Sequence, residues 1–227
     1  MPPTPIRAIV ATLLAAVAVS ACSSAAGGAE RGSREPAPLS YSDSAAIAKA
    51  TADSARYPYT AADVRFMTVM IGHHAQAITM ARLAPTHGAS APIRTLAERI
   101  INAQEDETAT MQQWLRDRRQ MVPDARAPDM HAMSTGEHAM LMPGMLTPAR
   151  MKQLDAATGA AFDRLFLTSM IQHHRGALVM VKTLFGSDGA AQDGTVFKFA
   201  SDVNVDQTTE IARMERMLVN LVAKGAP

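Results

Sequence analysis

Two pairs of adjacent histidines lie in apolar stretches of the sequence, where imidazole nitrogens could bind a metal ion. His73 and His74 lie in FMTVMIGHHAQAITM, and His173 and His174 lie in FLTSMIQHHRGALVM a hundred residues later. Eight of the fifteen aligned residues in these two runs are identical. The sequence therefore contains an internal duplication whose shared residues include both histidine pairs.

A second pair of matching segments follows the histidine pairs. QEDETATMQQWL aligns with QTTEIARMERML, which pairs Gln104 with Gln207 and Glu107 with Glu210. Each half then reads as a helical hairpin, and two hairpins predict a four-helix bundle. Val/Ile alternation is scarce and aromatic residues make up only 4% of the chain, which also favours an all-α fold.

Capping residues and prolines set the expected helix boundaries. We predict long helices over about 60–84, 90–119, 159–185 and 195–224, and a short helix that Thr147 caps. Thr60 and Ser90 are the expected N-caps of the first two long helices. A weak helical segment precedes Thr60. The bundle is predicted over 60–225, with repeats at about 60–119 and 159–224. A Met/His-rich connection, 120–158, is long enough for a crossover of the kind found in ferritin-like folds.

The repeated polar residues fall near the middle of all four long helices, so a bundle brings them to one level. Burying so many polar groups requires nearly complete pairing, which a metal ion supplies efficiently. The alternative is that the histidines are buried neutral rings, hydrogen-bonded to Glu107 and Glu210. We predict a metal site formed by His73, His74, His173, His174, Glu107 and Glu210, with Gln104 and Gln207 as secondary candidates.

Methionine residues indicate which metal would be bound. Met70 and Met80 share the stripe of His73, and Met170 and Met180 share that of His173. Imidazole with thioether sulfur favours copper, as Cu(I) or Cu(II), and another transition metal is the alternative. The connection adds secondary candidates at Met130, His131, Met133, His138, Met140, Met142 and Met145. These methionines could instead pack the crossover onto the bundle or act as oxidisable scavengers.

The N-terminus resembles a bacterial lipoprotein signal. A short basic region ending at Arg7 precedes an apolar stretch that is too short to span a bilayer. VSAC then places Cys22, the only cysteine, where lipid attachment requires one. We expect residues 1–21 to be removed, residues 22–59 to form a flexible tether with the weak helix, and Cys22 to anchor the protein to the periplasmic face or the outer membrane.

Lipidation of Cys22 would leave no thiol in the exported protein, so it could form neither disulfides nor thiolate metal sites. The net charge of +1 falls to about zero without the signal peptide. We therefore expect no nucleic-acid partner, and membrane contact only through the lipid.

The doubled M-I-x-H-H motif and the Gln-x-x-Glu helices resemble the bacterial domain-of-unknown-function family 305. The resemblance covers about residues 60–222. It implies a ferritin-like four-helix bundle located in the envelope or secreted, in a family with some members associated with copper or silver handling. Leu167 stands where the first copy has Met67, so the two halves differ in thioether content.

The function we expect is sequestration or handling of copper by an envelope lipoprotein that is not an enzyme. One alternative is a di-metal ferritin-like oxidoreductase, but the Glu-x-x-His motif of such sites is missing, because methionines stand at 70 and 170. The other alternative is a metal-free helical interaction module, in which the polar layer only fixes helix register.

Overall fold

The computed structural model describes residues 41–56, 58–124 and 142–224. In these residues the regular elements are all helices, which confirms the all-α class. They are α1 (Tyr41–Arg56), α2 (Ala61–Ala81), α3 (Ala91–Asp117), α4 (Pro148–Ala156), α5 (Gly159–Phe185) and α6 (Gly194–Lys224). Among the helices described, none is long and apolar enough to cross a bilayer. The predicted signal peptide, Cys22, Met130, His131, Met133, His138 and Met140 lie outside the described residues.

Most helix boundaries agree with the sequence prediction, but the first long helix ends earlier than expected. Residues 83 and 84 donate their N–H groups to the carbonyls of Met80 and Ala81, three residues back rather than four. Pro85 disfavours helical geometry in the residue before it, so the chain tightens and leaves the helix at Ala81. α3 likewise ends at Asp117, two residues before the predicted position.

The N-caps follow the prediction except at Ser90. Thr60 forms a capping box with Asp63, and the Thr147 hydroxyl accepts a hydrogen bond from the Arg150 N–H at 3.2 Å. Ser90 occupies the N-cap position of α3, but its side chain makes no capping bond. Its backbone N–H instead donates to the carboxylate of Asp163, 3.2 Å away.

Asp63 and Asp163 occupy equivalent positions in the two halves, and each binds the hairpin turn of the other half. Asp63 accepts a hydrogen bond from the N–H of Ala191, 2.7 Å away in the turn between α5 and α6. Asp163 accepts the N–H of Ser90, in the turn between α2 and α3. The start of α2 therefore lies beside the end of α5, and the start of α5 lies beside the end of α2, so the two helices are antiparallel.

The four long helices form a helical bundle with two apolar clusters along its length. α2 packs against α3, α5 against α6, and α2 against α5. The first cluster contains the start of α2, the ends of α3 and α5, and the start of α6. The second cluster contains the opposite half of each helix. In every helix the change from one cluster to the other falls at the repeated polar residues.

The same clusters give the helix directions. α3 and α5 both run from the second cluster to the first, so they are parallel. The chain must therefore travel the length of the bundle between them, as a crossover does. The ferritin-like assignment itself remains a prediction.

Candidate metal centre

The polar residues between the two apolar clusters form one buried layer, here called the histidine layer. It contains His73, His74, His173 and His174 with Gln104, Glu107, Gln207 and Glu210. All four imidazoles are at most 1% exposed, and both glutamines are 2% exposed. The structure therefore brings together the candidate ligands that the sequence predicts for the bundle, although the roles of these residues in binding metal remain a prediction.

The second histidine of each pair contacts a carboxylate on the neighbouring helix. His74 Nε2 lies 2.6 Å from Glu107 Oε2, and His174 Nε2 lies 2.7 Å from Glu210 Oε2. The carboxylates are 17% and 21% exposed, so they lie on the solvent side of fully buried rings. These contacts are the ones expected for structural histidines, and they also resemble the support given to metal-binding histidines.

The first histidines of the two pairs meet at the interface between α2 and α5. The ring centroids of His73 and His173 are 3.8 Å apart, with an angle of 36° between the ring planes. His73 Nε2 donates a hydrogen bond to the carbonyl oxygen of Pro143 at 3.0 Å. His173 has no partner of normal hydrogen-bond geometry for either ring nitrogen. The two halves are therefore not equivalent at this position.

Unpaired polar atoms are concentrated in the histidine layer. The Nδ1 atoms of all four histidines, Nε2 of His173, and Oε1 of Gln104 and Gln207 are buried without a hydrogen-bond partner. Each such group costs about 1–3 kcal/mol of stability. In the part of the chain that the structure describes, no three His, Cys, Asp or Glu side chains are grouped closely enough to hold an ion. The layer thus offers separate donor atoms, not a closed cage of nitrogen and oxygen ligands.

Thioether groups flank the layer on both sides. Met70 and Met180 belong to the first apolar cluster, and Met80 and Met170 belong to the second. All four are buried. The antiparallel arrangement of α2 and α5 therefore pairs a methionine from each half above and below the imidazoles.

Residues 142–146, here called the strap, cross over the contact between α2 and α5. The side chain of Gln76 binds the backbone of Leu146 twice, accepting its N–H at 2.8 Å and donating to its carbonyl at 3.0 Å. Gln172 donates to the carbonyl of Gly144 at 3.3 Å. The backbone at Gly176 comes so close to Pro143 that a β-carbon there would lie 1.9 Å from the Pro143 oxygen.

The strap includes two of the secondary candidates, Met142 and Met145. Met145 is 5% exposed, and Met142 packs against the first apolar cluster. These contacts agree with the packing role that the sequence left open for them. The strap itself was missed by sequence reasoning, although one signal exists. Gln76 and Gly176 occupy equivalent positions in the two repeats, and each makes a different strap contact.

Asp206 is a second residue that the sequence analysis missed. It lies exposed on α6, four residues before Glu210. Loss of part of its hydration raises the pKa of Asp206, and the negative charges of Glu107, Asp202 and Glu210 raise it further, while the positive charge of Lys198 opposes them. The carboxylates that contact the histidines therefore lie in an acidic part of the surface shared by α3 and α6.

Burial keeps the first histidines neutral. It lowers the pKa of His73 to about 3, with repulsion from a proton on His74 adding to the effect and the hydrogen bond to Pro143 opposing it. Burial also lowers the pKa of His173 well below its ordinary value, and repulsion from His73 adds to this, although the nearby backbone of His73 opposes it. A neutral imidazole keeps a lone pair, which a metal ion requires.

Acid is expected to destabilise the metal-free protein. His73 and His173 take up protons near pH 6.5 in the unfolded chain, but only at much lower pH in the folded protein. Above about pH 6.5 both states carry neutral rings, and the free energy of unfolding does not depend on these protons. As the pH falls below that value, the free energy of unfolding decreases by about 1.4 kcal/mol per pH unit for each ring. Urea unfolding between about pH 7 and pH 5 measures this slope. A free energy of unfolding that does not change over this range would contradict the prediction.

Comparison with known proteins agrees with this architecture. The chain matches the family described as Domain of unknown function (DUF305) over residues 63–218. A DUF305 fragment from Deinococcus radiodurans is 28% identical with a TM-score of 0.59, and the match covers 71% of this chain and 98% of that one. A DUF305 protein from Streptomyces coelicolor, described as secreted, is 26% identical with a TM-score of 0.59, covering 70% and 92%. No curated protein matches the chain.

CopM is a further structural relative. Its Cu(II)-bound form is 28% identical with a TM-score of 0.54, and its Cu(I)-bound form is 27% identical with a TM-score of 0.52. Each match covers 70% of this chain and 96% of CopM.

The fold and the layer define an all-helical bundle protein with paired histidines buried at its centre. The family match spans well over half of the sequence. The chain belongs to the DUF305 family, which confirms the resemblance found from the M-I-x-H-H motifs.

Proposed function

We propose that this protein binds copper in the bacterial cell envelope and serves to sequester or hand on the metal. The observation that carries the proposal is His173, which is fully buried beside His73 and has two unpartnered ring nitrogens. A buried polar group without a partner is costly, and a ligand that binds it recovers that cost.

The donor atoms present fit copper. Four buried imidazoles lie between buried methionine side chains. Thioether sulfur favours Cu(I) over harder cations. His73, His74, His173 and His174 would hold the ion, together with the methionines Met70, Met80, Met170 and Met180. Bound copper would supply a positive charge at the centre of the layer and would bind the imidazole nitrogens and thioether sulfurs there.

The similarity to CopM supports the choice of metal, because CopM is known in Cu(I)-bound and Cu(II)-bound forms. The relative from Streptomyces coelicolor that is described as secreted supports export. Lipid attachment at Cys22 belongs to the proposal and rests on the sequence alone.

Copper uptake tests the proposal directly. The purified apoprotein is titrated with Cu(I) in competition with a chelator of known affinity. The double variant His73→Ala, His173→Ala is expected to bind at least tenfold more weakly than the wild type, because both rings nearest the centre are lost.

His87→Gln is the matched control, since His87 lies outside the layer and its ring nitrogens lie 2.9 Å and 2.8 Å from the Leu83 and Asp155 carbonyl oxygens. Its copper affinity is expected to equal that of the wild type. Equal affinity in the double variant would overturn the bundle site. If copper also fails to raise the unfolding temperature of the wild type, the metal-free interaction module gains support.

A further inference from the structure

We propose that Glu107 and Glu210 are positioning residues that hold His74 and His174 with the proton on Nε2, so that each ring offers Nδ1 to the metal. The inference rests on the proposed function. It assigns both glutamates the role of supporting the metal-binding rings, whereas the sequence predicts that they bind the metal themselves.

The hydrogen bonds fix which nitrogen carries the proton. An ionised carboxylate only accepts hydrogen bonds, so the Nε2 atoms that lie 2.6 Å and 2.7 Å from Glu107 and Glu210 are the donors. The Nδ1 atoms of the same two rings are buried without a partner. A single proton on Nδ1 would instead bury a donor without an acceptor and set two acceptors against each other at Nε2, which disfavours that tautomer.

His73, the other histidine of the first pair, also has an acceptor at Nε2 and an unpaired Nδ1. The Pro143 carbonyl also only accepts, so His73 carries its proton on Nε2 and leaves Nδ1 free. Three of the four rings therefore share one tautomer, and each is held by a different element of the protein. Metal-binding histidines usually donate their other N–H to a carboxylate or a backbone carbonyl in this way.

Burial places the glutamates outside the site. Glu107 and Glu210 are partly exposed, whereas the rings they contact are at most 1% exposed. Each carboxylate has one oxygen engaged by a ring that is more deeply buried than the carboxylate itself. The carboxylates therefore approach the rings from the solvent side of the layer.

The experiment has one measurement without metal and one with it. Long-range ¹H–¹⁵N correlation spectra of the apoprotein identify the protonated nitrogen of each histidine, and His74 and His174 are expected to show Nε2–H. In Cu(I) competition, Glu107→Ala and Glu210→Ala are each expected to lose about 10–100-fold in affinity. Glu107→Gln and Glu210→Gln keep an oxygen acceptor and are expected to lose less than about fivefold.

The control variants are Glu105→Ala on α3 and Glu215→Ala on α6. These glutamates form exposed ion pairs with Arg82 and Arg175, so their removal should change neither the tautomers nor the affinity. Circular dichroism of every variant confirms that the helices remain.

Nδ1–H tautomers in the wild-type apoprotein, or a glutamine variant that loses as much affinity as its alanine counterpart, would overturn the positioning role. A wild-type protein that takes up no copper would overturn the proposed function. In that case the tautomers, which are read without metal, still decide whether the glutamates position the rings.

Discussion

Replacing His173 by leucine is expected to stabilise the metal-free protein by roughly 1–3 kcal/mol and to lower its copper affinity at least tenfold. Most substitutions of buried residues destabilise a protein, so a gain in stability is an unusual result. It is expected here because the ring of His173 is fully buried and neither nitrogen has a partner. Leucine has a similar volume and leaves no polar atom unpaired.

The loss of copper affinity has the same origin as the gain in stability. A site that is costly without its ligand and favourable with it trades stability for function. Urea unfolding of the metal-free protein gives the free energy of unfolding, and Cu(I) competition gives the affinity. The two measurements are expected to change in opposite directions in one variant.

His174→Leu is the matched control for this prediction. It removes the neighbouring ring, whose Nε2 contacts Glu210 at 2.7 Å, and leaves the carboxylate without that partner. The metal-free protein should therefore lose stability, in contrast to His173→Leu. If His173→Leu is destabilised by as much as His174→Leu and binds copper normally, His173 is a structural residue and the bundle site is wrong.

The histidine layer could be predicted because it depends on local patterns. The height of a residue in a bundle follows from its distance along the helix, and its direction follows from the 3.6-residue period. Both quantities can be read from the repeats around His73 and His173. The same reasoning gives the contact of His74 with Glu107, since both lie near the middle of adjacent antiparallel helices.

The differences between the two halves could not be predicted in this way. His73 and His173 lie in repeats that share eight of fifteen residues, yet one contacts Pro143 and the other has no hydrogen-bond partner. That contact depends on the route of the crossover, which involves residues 70 positions apart. Asp63 illustrates the same limit. A local rule predicts an acidic residue in the first turn of a helix, but not the turn of the other half that it also binds.

Introducing a β-carbon at Gly176 is expected to destabilise the protein by about 3 kcal/mol. In an exposed helix Gly→Ala would stabilise by about 1 kcal/mol, because alanine has the higher helix propensity. At Gly176 the new atom would lie 1.9 Å from the oxygen and 2.4 Å from the carbonyl carbon of Pro143. Both are backbone atoms that cannot rotate away, so the strap must move.

Moving the strap breaks the four hydrogen bonds that hold it: Gln76 donates one and accepts one, and His73 and Gln172 each donate one. At about 1 kcal/mol each, their loss exceeds the gain in helix propensity. Gly194→Ala is the matched control, because Gly194 is also helical but a β-carbon there meets no atom within 4 Å, and it should leave the free energy of unfolding unchanged or raise it by up to about 1 kcal/mol. Urea unfolding of both variants measures the difference. If Gly176→Ala is as stable as Gly194→Ala, the strap does not depend on the close approach at Gly176, and the hydrogen bond that distinguishes His73 from His173 must be maintained by Gln76 and Gln172 alone.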